Sequence, residues 1–345
     1  MNFSDKKYFP LLDGLRGLAI SLILIRHCIK SDNAIIDLMV QKCWIGVDIF
    51  FALSGFLITN ILLNDKGNKG YFSRFYIRRI LRIFPLYYFT LIVVFLIIWY
   101  FQLEDQYVFI ENWGCFFTYT QNILFAFDNE EHNMLMLFHF WSLAIEEHFY
   151  LFWPLLVYFL SKNRLLAVCI LLITFSTSLR FYFPRHVNYI FTLTRFDALA
   201  AGSIIAIIYV QYHHLILKYL DYVFIVSSLL LAFIMMSSYP LLSPFKYTMV
   251  GVFSASLVTY CIIPNKYSKI FNILFDNKLM KTLGKYSYGL YVLHYIIFIY
   301  FYQIIGEHSF INDILFFITM FSITYVVYHL LEKPFLKLKK VLAPY

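Results

Sequence analysis

The chemistry in this chain can be built around His27. It lies eleven positions after Arg16 in the run Leu11 to His27, which is long and apolar enough to cross a bilayer. At about 100° per residue, eleven residues make roughly three turns, so Arg16 and His27 share one helix face about 16 Å apart along the axis. A charged residue at the centre of a membrane helix costs about 2.5 to 3.5 kcal/mol, which turns such residues toward protein or a water-filled cavity. A buried imidazole there can serve as a general base, an acyl carrier or a proton-coupling group, or it can be a hydrogen-bonded packing residue.

Other ionisable residues sit in similarly apolar surroundings. Asp48, near the start of the second apolar run, falls at the depth of His27 across a hairpin; it either orients the imidazole or caps its own helix. Arg79 and Arg82 are three apart and share a face, offering two guanidinium forks to phosphate or to lipid headgroups. Glu146 and Glu147 are adjacent carboxylates in an aromatic helix, with Ser142 one turn before Glu146. Glu146 joins His27 and Asp48 in the candidate catalytic set, and an Arg195–Glu146 pair that fixes the bundle is expected from their similar depth. His294 is read as a hydrogen-bonded packing residue.

The elements that must position these residues follow from composition. The chain has 345 residues, 61% of them hydrophobic and 14% charged, which excludes an ordinary soluble domain. Apolar runs at about 10–29, 44–63, 84–101, 138–160, 165–183, 187–209, 220–238, 247–263, 286–305 and 311–331 predict an all-α polytopic protein of about ten spans, a single membrane domain over 1–345. Alternate loops and the two ends hold 20 basic residues and the intervening loops 5, which predicts both termini on the cytoplasmic side. Topology thereby accounts for the net charge of +8 without nucleic acid. The five cysteines, at 28, 43, 115, 169 and 261, form no metal or redox motif; Cys28 and Cys43 flank one short loop but are read as free thiols. The longest loop, 102–137, is acidic and aromatic; Trp113, Phe116, Phe117 and Tyr119 suggest a piece lying at the interface. Glu332-Lys333-Pro334 is expected to end the last helix.

From Leu12 to Phe335 the ordered stretches resemble the acyltransferase 3 family of integral-membrane O-acyltransferases. They are LDGLRGLA with the Arg16–His27 spacing, GVDIFFALSGFLI, RRILRIFP, WSLAIEEHFYLFWP, RFDAL and SYGLYVLH. The resemblance implies catalysis by His27, with Arg16, Arg79 and Arg82 engaging an acyl-CoA donor, most simply acetyl-CoA, and no metal. It also implies a carbohydrate or lipid-linked glycan acceptor and a place in a bacterial cell membrane. His148 stands where many relatives carry Gln, a change expected to alter packing alone. With no hydrolase-like domain after the helices, a single-domain member is expected, completing the transfer itself or with a partner.

Two other classes compete. A transporter or flippase for a polar or lipid-linked glycan would move unmodified substrate and release no CoA. A membrane scaffold would tolerate loss of His27. The predicted topology has a direct check: reporter fusions at Phe127 and Asn272 should report opposite sides of the membrane, and a shared side would overturn it.

Overall fold

The protein is represented by a computed structural model that describes residues 9–29, 32–103, 108–128, 136–211, 213–236, 240–306 and 308–344. All regular structure among them is helical. The elements are α1 (Pro10–Cys28), α2 (Ala34–Lys42), α3 (Ile45–Asp65) and α4 (Tyr71–Phe101), then three short helices α5 (Val108–Glu111), α6 (Trp113–Phe117) and α7 (Gln121–Phe127). They continue with α8 (Trp141–Phe159), α9 (Lys162–Leu179), α10 (Arg185–Ile190), α11 (Phe196–Gln211), α12 (His213–Met236) and α13 (Phe245–Ile262). The last are α14 (Ser268–Phe275), α15 (Lys278–Ile305), α16 (Phe310–Val327) and α17 (Lys333–Leu342), with a π-helical turn, Tyr328–Glu332, between α16 and α17.

Among the described residues, seven helical segments are long and apolar enough to cross a membrane. They begin at Ala34, Tyr71, Lys162, Lys218, Phe245, Lys278 and Phe310, and make this a multi-pass membrane protein. The other three expected spans fall on α1, α8 and the α10–α11 region. Those segments carry Arg16, His27, Glu146, Glu147, Arg195 and Asp197.

Two expectations are corrected. The run 187–209 is not one helix: α10 stops at Ile190, a 3-10 turn covers Thr192–Thr194, and α11 starts at Phe196. Side chains take over the backbone there. Asn122 Nδ2 donates to the Ile190 carbonyl (3.2 Å) and to Thr192 Oγ1 (2.7 Å), and Thr194 Oγ1 donates to the Phe191 carbonyl (2.7 Å). Pro334 does not end the helical structure: the helical segment that begins at Phe310 runs on through the π-helical turn and Pro334 to Leu342. Among its described residues, the four named aromatics of the segment 102–137 do not form one exposed strip. Phe116 and Tyr119 are buried, Tyr119 stacks on Tyr87 at 4.2 Å, and Trp113 alone of the four named aromatics is strongly exposed. Its Glu104, Asp105, Glu130 and Glu131 lie outside the described residues.

Two backbone crossings set the geometry of the interior. At the α1–α15 crossing a Cβ on Gly284 would sit 1.8 Å from the Asp13 carbonyl oxygen, and at the α3–α11 crossing a Cβ on Gly202 would sit 2.0 Å from that of Ala52. Small residues permit this approach, and with it the facing side chains meet. Gly284→Ala and Gly202→Ala should each cost about 1–3 kcal/mol or more, read as a lowered unfolding temperature of the purified protein in detergent. An unchanged temperature would contradict these crossings.

Candidate active site

A cavity of about 210 Å³ lies between α3, α4, α8 and α15. Its lining runs along α3 from Val47 to Ile61, roughly 21 Å of helix. Arg16, Arg78, Arg79, Arg82 and Lys339 line one end, while Val47, Phe51, Ser142 and Tyr291 line the other. Arg16 is held by Asp13 at 2.7 Å, and the Arg79 guanidinium lies 5.4 Å from the Tyr150 ring centre. The cavity therefore has a cationic mouth formed by three helices distant in sequence.

Its middle is acidic and hydroxylic. Tyr150 Oη donates to Glu146 Oε2 (3.0 Å) and so accepts from Ser54 Oγ (2.5 Å). Glu147 Oε1 is buried and makes no hydrogen bond, which leaves an acceptor on the cavity wall. His148 is turned to Thr192 Oγ1 at 2.8 Å and does not line the cavity.

At the far end, Tyr291 Oη donates to the His139 carbonyl (2.6 Å) and accepts from Ser142 Oγ (2.5 Å). One turn further along α15, His294 faces His27. His294 Nδ1 lies 2.8 Å from the Tyr291 carbonyl and 3.1 Å from that of Leu290. Carbonyls only accept, so Nδ1 carries the proton and the neutral ring presents a bare Nε2. That Nε2 is 3.1 Å from His27 Nδ1, so His27 Nδ1–H is the donor and its Nε2 is left basic. A third imidazole, His139, packs 4.9 Å from His294 and donates from Nε2 to the Val292 carbonyl (3.3 Å).

Asp48 does not orient His27, and Arg195 does not pair with Glu146. Arg195 Nη2 instead donates to both Asp48 oxygens, at 2.9 and 3.0 Å, with both side chains fully buried. The remaining guanidinium N–H groups, which have no hydrogen-bond partner, lie among rings: Tyr247 at 4.2 Å and Phe51, Trp141 and Tyr189 at 5.7 Å. A second buried pair joins Arg180 to Asp197 at 2.8 Å, with Thr248 bonded to both. The sequence did not single out Arg180, Tyr291, Lys339 or the Ser54–Tyr150 link as parts of the interior. The Asp two positions after Arg195 was the available signal for a second cation.

The site thus combines a cationic end, a cavity that follows α3 and an imidazole pair beyond its far end. Residues 9–331 match the acyltransferase domain family, and the chain belongs to it. Over 157 residues it is 38% identical to the peptidoglycan O-acetyltransferase OatA of Listeria monocytogenes, covering 44% of this chain and 24% of that protein. It is 29% identical over 365 residues to YrhL of Bacillus subtilis, named as a candidate peptidoglycan O-acetyltransferase, covering 95% of this chain and 55% of the relative. A candidate O-acetyltransferase of Staphylococcus aureus strain COL is 27% identical over 378 residues, at 97% and 58% coverage. The chain thus spans little more than half the length of the relatives that it matches end to end. No solved structure matches it.

Removing one member of a buried ion pair costs about 3–5 kcal/mol. Asp48→Ala should therefore lower the unfolding temperature and the amount of protein in the membrane. A variant as stable as the parent but selectively inactive would return Asp48 to the imidazole.

Proposed function

We propose that the chain is a membrane O-acetyltransferase. It moves an acetyl group from acetyl-CoA, bound at the mouth by Arg16, Arg79 and Arg82, to a hydroxyl of a peptidoglycan-like cell-envelope glycan. The observation that carries this reading is that one cavity runs from a cluster of cations to Tyr291, one helical turn before His294, whose partner His27 is left with a basic Nε2. Family membership and the relatives' names support it. On this reading the protein lies in the cell membrane with about ten spans, both termini and the mouth are cytoplasmic, and His27 is near the outer side.

The residues divide the work. Phosphates of the donor pair with the guanidinium forks. The pantetheine arm follows α3, where Glu147 Oε1, and Glu146 beside it, accept from its amide N–H groups. At the thioester, His27 Nε2 takes the proton from the acceptor hydroxyl, and the oxygen attacks the carbonyl carbon. The C–S bond then breaks, an ester is left on the glycan, and the imidazolium returns its proton to the departing CoA thiolate. His294 positions His27 by fixing its tautomer, much as a carboxylate does in other catalytic histidines. Asp48 serves the site indirectly, by holding Arg195.

General-base catalysis contributes about 10²- to 10⁴-fold, so His27→Ala should reduce transfer by that order while the protein still folds. Mass spectrometry of surface glycans from cells carrying the intact protein and His27→Ala checks this. An alkali-labile acetyl ester present with the intact protein alone is expected. Identical glycans whose amount falls in the variant would overturn the reading in favour of transport.

A further inference from the structure

Lys339 lies outside the family-matched residues 9–331, yet it reaches the site. It belongs to α17, a helix with a basic face. Lys333, Lys337 and Lys340 on that helix are exposed, whereas Lys339 is partly buried and turned into the cavity mouth. The end of α17 is fastened in place: Arg78 Nη1 on α4 donates to the Ala343 carbonyl at 2.7 Å, and Ala343 is buried.

Lys339 meets a concentration of like charge there. Arg16, Arg78, Arg79 and Arg82 line the same mouth, and all four lie close enough to repel its ammonium. Four acids balance part of this: Asp13 on Arg16, Glu332 of the π-helical turn near Arg82, and Glu146 and Glu147 on the cavity wall near Arg79. Crowding cations away from water is unfavourable unless an anion of comparable charge occupies the space between them. A diphosphate supplies about two negative charges, and a further phosphate monoester supplies nearly two more. Guanidinium forks suit paired phosphate oxygens, and a compact ammonium on a flexible stem suits a single terminal phosphate.

We propose that Lys339 completes a subsite for a phosphate monoester, so that the mouth selects a nucleotide carrying a 3′-phosphate in addition to its diphosphate. This rests on the acyl-CoA reading of the cavity and adds to it a residue and a selectivity. α17 is then part of the donor site rather than a helix that merely rests on the membrane surface.

The test is binding of CoA and of 3′-dephospho-CoA to the full chain in phosphatidylcholine nanodiscs, measured by calorimetry. The parent should bind CoA about tenfold more tightly, the size of one charge-assisted contact. Lys339→Gln should lose that preference by weakening CoA alone, Lys339→Arg should keep it, and Lys340→Gln, one position along on the exposed side, should change neither affinity. Equal weakening of both ligands by Lys339→Gln, or no effect on either, would overturn the subsite and leave the acyl-CoA reading standing. If the parent binds neither ligand, both fall. If Lys339→Gln loses the preference while its unfolding temperature stays at the parent's value, a general loss of structure is excluded as the cause.

Discussion

The interior of this protein depends on the buried ion pair between Asp48 and Arg195. A lone charge at that depth would be intolerable, so the carboxylate takes one edge of the guanidinium and four aromatic rings surround the rest. Asp48 is in the first turn of α3 and Arg195 sits in the break just before α11, so the pair pins these helices where their backbones begin to run together toward Gly202. α3 in turn forms the long wall of the cavity. Breaking the pair would disturb that wall without touching a reacting atom.

From this wall the two ends of the site follow. α1 and α15 run parallel, touching at Asp13 and Gly284 near the mouth and at His27 and His294 beyond the far end. The same two helices therefore fix both the entry and the imidazole pair. Between them the Ser142–Tyr291 hydrogen bond lies at the far end of the cavity, one helical turn from His294. The cationic mouth and the imidazole pair are held apart by the helices, which on the proposed reading suits a reaction whose two substrates reside on opposite faces of a membrane.

The arginine pair of the mouth was readable because its spacing is local. Arg79 and Arg82 share a face by i,i+3 geometry, and their cavity also takes in Arg16. Partner choice across the bundle was not readable. Depth alone put Asp48 beside His27 and Arg195 beside Glu146, but depth is one coordinate, and rotation about each helix decides which side chains meet. His294 looked like a packing residue for the same reason: its meaning depends on a neighbour 267 positions away. The break at 191–195 was hidden because the side chains that stabilise it include Asn122, from a distant segment. Lys339 was hidden because one inward lysine cannot be told from its outward neighbours by composition.

On the proposed reading an acetyl group crosses from the cationic mouth to an acceptor on the His27 side. The most direct measurement uses sealed membrane vesicles of both orientations, with isotopically labelled acetyl-CoA supplied outside only. Everted vesicles, with the cytoplasmic face outward, should transfer label to the enclosed glycan, and right-side-out vesicles should transfer none until they are permeabilised. Equal labelling in sealed vesicles of both orientations would contradict a donor site confined to the cytoplasmic mouth.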